Sequence, residues 1–389
     1  MIDSIDSKRC TGCKMCSDLC NANAIFFQVN KEGFWYPRVN EEKCIKCGVC
    51  VKKCPELNKV LFNNALEPDV FAAWTLDDTI RFESTSGGVY YEFGRKFIEE
   101  NGIIVGCVYS PDKKSALHVA GSTIADLKKI MGSKYFQSDT EGIYEVVASY
   151  LKQDRKVLFC GTPCQIAALK AFVGKIPEGL YLIDFICKGI NSPKAFKAYM
   201  EELEENYDSS ILKVNLKSKK TGWESLATNV VFDNGQEYHK DRYTDWWILG
   251  YTCGNLFMRE TCQYCQYKGV PRLSDVTLGD FWGIENCSIK DKKNGVSVVF
   301  INSEKGKLLY RSIIQRIHSE KRSMSEVLKG NPYLFDQAYQ KGNRKKFFEL
   351  LDTVTFNEAV KKTYTETSIQ KFKRYIKVIL KKYFGREKW

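Results

Sequence analysis

Cys10-Thr11-Gly12-Cys13-Lys14-Met15-Cys16-Ser17-Asp18-Leu19-Cys20 and Cys44-Ile45-Lys46-Cys47-Gly48-Val49-Cys50-Val51-Lys52-Lys53-Cys54-Pro55 repeat one pattern, C-x2-C-x2-C-x3-C. Three cysteines two residues apart place three thiolates on three corners of one cubane, and the fourth points to the other cluster. The spacing therefore assigns Cys10, Cys13, Cys16 and Cys54 to one [4Fe–4S] cluster, and Cys44, Cys47, Cys50 and Cys20 to a second. Zinc uses four ligands in two pairs, and two triple-spaced motifs with an added C-x3-C exceed that need. Between the repeats, Ile25 to Val29 and Phe34 to Val39 read as strands around the turn Asn30-Lys31-Glu32-Gly33. Ala22, Ala24, Ile25, Val49 and Val60 are the small and apolar residues expected to keep water off the clusters. Asn21 stands where a proline often follows the fourth cysteine, a departure that removes no ligand.

The rest of the composition agrees with a redox protein. Half of the 16 cysteines fall between Cys10 and Cys54, a clustering that a disulfide scaffold would not produce. No stretch approaches the roughly 20 apolar residues of a membrane span, and charges among Met1 to Cys10 argue against a signal peptide, so a cytoplasmic location is expected. The net charge of +12 falls to about +8 with two clusters of about −2 each. Much of the excess lies at the C-terminus, so the charge does not imply nucleic-acid binding.

Beyond residue 67 the pattern becomes α/β. Val70 to Thr75, Ile103 to Val108, Val157 to Cys160, Leu180 to Ile186, Leu226 to Phe232 and Val296 to Ile301 read as strands. Val89 to Glu100, Gln165 to Phe172, Pro193 to Glu205 and Lys305 to Ile317 read as helices. Thr162 before Pro163 is a helix start signal. The expected fold is an α+β ferredoxin-like dicluster domain over 1–63, then an α/β domain with a mixed sheet over 67–320, in parts 67–152 and 153–320. A helical, basic tail occupies 321–389.

Three features of this body carry chemistry. Ser84-Thr85-Ser86-Gly87-Gly88 opens a helix and reads either as a phosphate cradle or as a serine-capped glycine turn. Cys164, in a first helical turn where the dipole favours thiolate, Cys187 after a strand, and the pair Cys262 and Cys265 are four further thiols. They would ligate a third cubane, or stand as buried cysteines beside a stray pair. Cys107, Cys160, Cys253 and Cys287 read as structural. None of His118, His239 and His318 lies in a ligand pattern.

At these residues the chain resembles a known family. Ser84 to Gly88, Gly132-Ser133-Lys134-Tyr135, Gly161-Thr162-Pro163-Cys164-Gln165, Cys187-Lys188-Gly189 and Leu273 to Gly283 are similar to motifs of the coenzyme F-420 hydrogenase/dehydrogenase beta-subunit family. The resemblance implies an FAD-containing reductase in which clusters and a flavin exchange electrons and the flavin exchanges a hydride with a small soluble substrate. It implies that Ser84, Ser86, Gly87, Gly88, Ser133, Lys134 and Tyr135 line the flavin or its phosphates, with Lys134 as charge partner. It also places Cys164, Cys187, Cys262 and Cys265 around a cluster beside the flavin. Coenzyme F-420 as substrate is analogy, and bacterial relatives of this layout suggest a surface-polysaccharide context. A redox partner protein or electron donor is implied. The runner-up reading is an electron-transfer subunit or adaptor of a larger complex with no substrate pocket.

The tail places Phe372, Ile376, Ile379 and Tyr383 at helical spacing, with Lys373, Lys377 and Lys381 on another face. It reads as a helix packed on its own domain or as a peripheral membrane contact. It lacks the aromatic–basic interleaving of a nucleic-acid binder.

Overall fold

The computed structural model describes residues 1–58, 64 and 67–364, and in the tail 366, 369, 372, 374–376, 378 and 379. Val60, Tyr383 and the tail lysines Lys373, Lys377 and Lys381 lie outside the described residues.

The N-terminal module is built on the hairpin β1 (Ile25–Val29) and β2 (Trp35–Val39), paired antiparallel from Ile25 opposite Val39 to Val29 opposite Trp35. Asn30 makes the turn, its side-chain oxygen accepting from the amides of Glu32 and Phe34. Cys16, Cys54, Ile2 and Ile25 form the module's own small core.

The body is organised by β3 (Asp69–Thr75), β4 (Ile103–Tyr109), β5 (Ala116–Gly121), β6 (Val157–Cys160), β7 (Leu180–Phe185), β11 (Val276–Asp280), β12 (Ser297–Ile301) and β13 (Ile317–Arg322). They form one sheet in the order β13-β3-β12-β11-β7-β6-β4-β5. The central strands β4, β6, β7 and β11 run parallel, and the outer pairings are antiparallel. Strands buried on both faces read as continuous apolar runs, which Val157–Cys160 and Ser297–Ile301 do. A separate three-stranded sheet of β8 (Ile211–Ser218), β9 (Ala227–Phe232) and β10 (Glu237–Lys240) takes the strand expected at Leu226 to Phe232 out of the main sheet.

The crossover helices begin where side chains supply the missing hydrogen-bond partners. These helices are α1 (Val89–Glu99), α2 (Ile124–Ile130), α3 (Pro163–Val173) and α4 (Pro193–Tyr207). Thr162 and Gln165 form a reciprocal capping box with Pro163 in the first turn of α3, and Ser192 caps α4. Ala195, Phe196, Tyr199, Met200 and Leu203 give α4 its buried stripe. Each large apolar side chain there contributes roughly 1.5–3 kcal/mol by leaving water.

Two expectations are corrected. The helix predicted from Lys305 to Ile317 ends at Arg311, and the chain turns back as β13 to pair with the edge of β3. Leu309, Tyr310, Ile313 and Ile317 still share one apolar cluster, so the periodicity reported burial and not a continuous helix. The expected domain boundaries also shift. One sheet joins strands from both 67–152 and 153–320, and β13 runs through residue 320. Helices α5 (Arg344–Leu351) and α6 (Phe356–Thr363) put Phe347, Phe356 and Val360 into the same core as Phe196, Tyr199 and Trp247. Of the expected tail stripe, Phe372 is exposed and Ile376 marginally so, while Arg374 pairs with Glu366 and sits over Trp246. Among the described residues, no helix is long and apolar enough to cross a membrane.

Candidate redox site

Parallel strands β4, β6, β7 and β11 all end at one edge of the sheet, and open α/β sheets hold ligands in the crevice outside such ends. A cavity of about 290 Å³ occupies that crevice. Its wall takes Cys107 and Cys160 from the ends of β4 and β6, Asp184 to Ile190 after β7, and Leu278 to Asp280 from β11. Ser84, Ser86, Gly88, Ser133, Lys134 and Tyr135, six of the seven residues expected at a flavin, line it. Gly87 turns away: its amide donates to Ser297 Oγ at 2.9 Å, and a Cβ there would come within 2.4 Å of the Ala73 carbonyl. Gly88 adopts φ +82° at the start of α1 with no side chain capping it, which leaves the helix N-terminus open at the cavity wall.

Lys134 is held at the other side. Its ammonium donates to the carbonyls of Lys129, Ile130 and Met131 at 3.0, 2.8 and 3.1 Å, closing the C-terminal end of α2. All three donors are engaged there, so Lys134 acts on a cavity anion through its charge and not through hydrogen bonds. Burial brings its pKa down to about 8. Tyr90 places a buried phenol in the same wall, with no hydrogen-bond partner among the described residues. A buried polar group without a partner is costly, and a polar ligand in the cavity would relieve it.

A second, smaller cavity of about 40 Å³ adjoins the first, and both are lined by Thr11, Cys164, Cys187, Lys188, Gly189 and Ile190. All four remaining candidate thiols, Cys164, Cys187, Cys262 and Cys265, face it. They are brought in by the first turn of α3, the loop after β7, and the turn at Glu260–Tyr264. Lys188, Arg259, Lys268 and Arg272 surround them. Four thiols amid four cations suit a group of net charge about −2, which a thiolate-held cubane carries. The Cys164 thiol does not follow its helix dipole. Burial pushes its pKa well above 9, with the neighbouring thiols adding to the rise and Thr162 Oγ, 3.1 Å away, opposing it. Burial likewise takes Cys187 up to about 11 and Cys262 up to about 12. Desolvation outweighs a partial helix charge at such positions.

The N-terminal module is bolted to this wall by its first cysteine loop. The buried Arg259 guanidinium donates to the Cys10 carbonyl at 2.9 Å, Gln137 Oε1 at 2.9 Å and the Trp35 carbonyl at 3.1 Å. Thr140 Oγ and Tyr144 Oη donate to the Cys13 carbonyl at 2.7 and 2.9 Å. Gly12, at φ +68°, lies so close to Gln137 and Arg259 that a Cβ would meet Gln137 Nε2 at 2.6 Å. Thr11, Gly12 and Cys13 consequently form part of the large cavity's lining. Within the module, Cys10, Cys13 and Cys54 all act on the Cys16 thiol, whose pKa burial raises well above 9. Cys20 in turn acts on Cys50, whose pKa burial also raises. That grouping agrees with the pairing read from the spacing. Cys10, Cys16 and Cys54 are buried against the body, whereas Cys47 is exposed and Cys44 and Cys50 are half-buried. Among the described residues, no three His, Cys, Asp or Glu side chains are arranged around a single ion; a cubane instead needs one thiolate per corner iron.

Sequence reasoning missed His118, Tyr90 and Asp184, which carry no motif. His118 on β5 lines the large cavity, its Nδ1 3.1 Å from Ser138 Oγ, to which Gln165 Nε2 donates at 3.2 Å. Burial pulls the imidazole pKa from 6.5 down to about 4. The unfolded chain therefore takes up this proton near pH 6.5 and the folded chain only near 4. The resulting stability loss, between pH 6.5 and 4, is worth roughly 3 kcal/mol. Thermal unfolding of His118→Asn should show a shallower fall across that window than wild type. Equal slopes would remove the imidazole from the acid response.

Comparison with known proteins matches these two parts separately. Residues 9–57 match the family described as 4Fe-4S dicluster domain, and residues 154–327 match the family described as the C terminus of the coenzyme F420 hydrogenase/dehydrogenase beta subunit. The ferredoxin-type protein NapF of Haemophilus influenzae is 42% identical over 52 residues, 13% of this chain and 29% of that protein. NapF of Escherichia coli K12 is 37% identical over 43 residues, 11% and 26% of the respective chains. The chain thus spans under a third of the length of these curated relatives. Among solved structures, a chain of the F420-reducing [NiFe] hydrogenase complex from Methanosarcina barkeri is similar at 18% identity and TM-score 0.48. The alignment covers 77% of this chain and 91% of that one. By these matches the chain belongs to the coenzyme F420 hydrogenase/dehydrogenase beta-subunit family, with a 4Fe–4S dicluster domain joined at its N-terminus.

Proposed function

We propose that this chain is an iron–sulfur flavoprotein oxidoreductase, with two ferredoxin-type clusters, a third cubane at Cys164, Cys187, Cys262 and Cys265, and a flavin, FAD by family analogy, in the large cavity. The observation that carries this reading is the shared wall: the four-thiol cavity, the first cysteine loop and the large cavity meet at Thr11, Cys164 and Cys187. A flavin takes one or two electrons, which lets cluster chemistry and hydride chemistry meet in one protein.

The chain's own residues have defined parts in this reading. The amides at the start of α1, with Ser84, Ser86 and Gly88, hold the anionic end of the cofactor, and Lys134 supplies charge from α2. Tyr90 offers a hydrogen bond that the protein leaves unused. Arg259 and Gln137 fix the first cluster loop against the cavity, and apolar Ile130, Val89 and Leu278 keep water from it. The substrate is a small soluble acceptor or donor, of the coenzyme F420 type by the matched family's description. A cavity of this kind favours a site of the chain's own over an adaptor that merely passes electrons.

Anaerobic purification with iron, sulfide and flavin analysis tests the proposal. The expected content is about 12 iron per chain with one flavin, and about 8 would remove the third cubane. Full iron with no flavin, even after reconstitution, would reject the reductase reading.

A further inference from the structure

Resting on the electron-transfer reading above, we infer that the surface around Cys44 to Lys53 is the docking site of a small acidic one-electron carrier protein. Cys47 is exposed, and so are its apolar neighbours Ile45 and Val49, at 72% and 37%. Lys43, Lys46, Lys52 and Lys53 surround them, all exposed, and among the described residues none of the four forms an ion pair. The opposite side of the module, at Cys10, Cys16 and Cys54, is buried against the body. The second cysteine group is therefore the one that a partner can reach.

The chemistry of the patch selects the partner. An apolar centre with a charged rim is the anatomy of a protein interface, and a short one suits a transient encounter. Carriers with iron–sulfur or flavin centres bring negative charge toward a cluster that is itself negative, about −2. Four ammonium groups against the two carboxylates of Glu41 and Glu42 turn that repulsion into attraction at the rim. A second copy of this chain would set lysines against lysines. A membrane would cover the exposed thiols without exchanging anything through them. In the encounter, the reduced carrier loses one electron and becomes oxidised, a [4Fe–4S]²⁺ cluster gains it and becomes [4Fe–4S]⁺, and no bond forms or breaks.

Anaerobic stopped-flow oxidation of flavodoxin hydroquinone, an acidic carrier, by the iron-loaded full-length protein tests this. The wild-type rate should fall at least about tenfold between low salt and 0.5 M salt, because screening removes steering between exposed charges. The Lys43→Glu/Lys46→Glu/Lys52→Glu/Lys53→Glu variant should be slower by at least about tenfold at low salt. Its iron content and its reduction by dithionite should match wild type. Ile45→Ser/Val49→Ser should slow flavodoxin alone. A rate indifferent to salt, or a charge-reversed variant as fast as wild type, overturns the inference. A salt-sensitive dimer, or binding to anionic vesicles that the variant loses while flavodoxin still reacts, overturns it equally. If the variant does not retain iron, the wild-type salt profile decides. Protein that holds no iron and is not reduced by dithionite refutes the proposed function itself, a result distinct from failed docking.

Discussion

Cys187→Ser is expected to leave about 8 iron per chain in place of about 12, with the N-terminal clusters intact. Cys187 sits in the loop after β7, where its thiol shares a small cavity with Cys164, Cys262 and Cys265 and its carbonyl accepts from Lys268 Nζ at 2.6 Å. Serine keeps the size of the side chain and removes the soft ligand, so the loop should hold while the site does not. Turnover driven through the N-terminal module should drop more than about 100-fold, since even residues that only support metal ligands cost 10–100-fold. Iron and sulfide analysis with anaerobic kinetics reads both effects. Cys160→Ser is the control: it lines only the large cavity and should keep the full iron content. Iron unchanged in Cys187→Ser would withdraw the third cubane.

The largest stability effect is expected from Asp184→Ala. Asp184 and Arg272 form an ion pair at 2.8 Å with both side chains essentially out of solvent. Asp184 faces the large cavity and Arg272 the four-thiol cavity, so the pair forms the partition between them. Thr277 Oγ donates to the carboxylate at 2.5 Å and accepts from Asn302 Nδ2 at 2.9 Å, which completes the network. Burial pushes the carboxyl pKa up while Arg272 and Thr277 pull it back. Truncating one partner strands a buried guanidinium and should cost about 3–5 kcal/mol. Asp184→Leu/Arg272→Met, which removes both charges, should cost less than the single change. Urea unfolding of the three proteins checks the order, and a double variant worse than Asp184→Ala would contradict it.

Much of the fold was legible along the chain because the relevant signals are local. The capping box at Thr162 and Gln165, with Pro163 in the first turn, set the start of α3 within a few consecutive residues. The apolar runs at β3, β6, β7 and β12 identified strands buried on both faces. Local signals failed where a long-range pairing decided the outcome. The apolar spacing through Ile317 suited a helix, yet the free edge of β3 draws Ile317–Arg322 into the sheet. Likewise β5 and β11, which carry His118 and Asp280 to the cavity, exist through pairing with β4, β7 and β12.

The amino-acid order alone determined the eight N-terminal cysteines and their division into two groups of four, because one turn of backbone fixes where closely spaced thiols converge. Only the tertiary structure decided that Cys164, Cys187, Cys262 and Cys265 face one space, that Lys134 spends its donors on the end of α2, and that Tyr90, His118 and Asp184 line a cavity. Those residues come from loops and strand ends far apart in the chain. They meet because parallel strands end on the same side of a sheet, a relation that no spacing between neighbours can record.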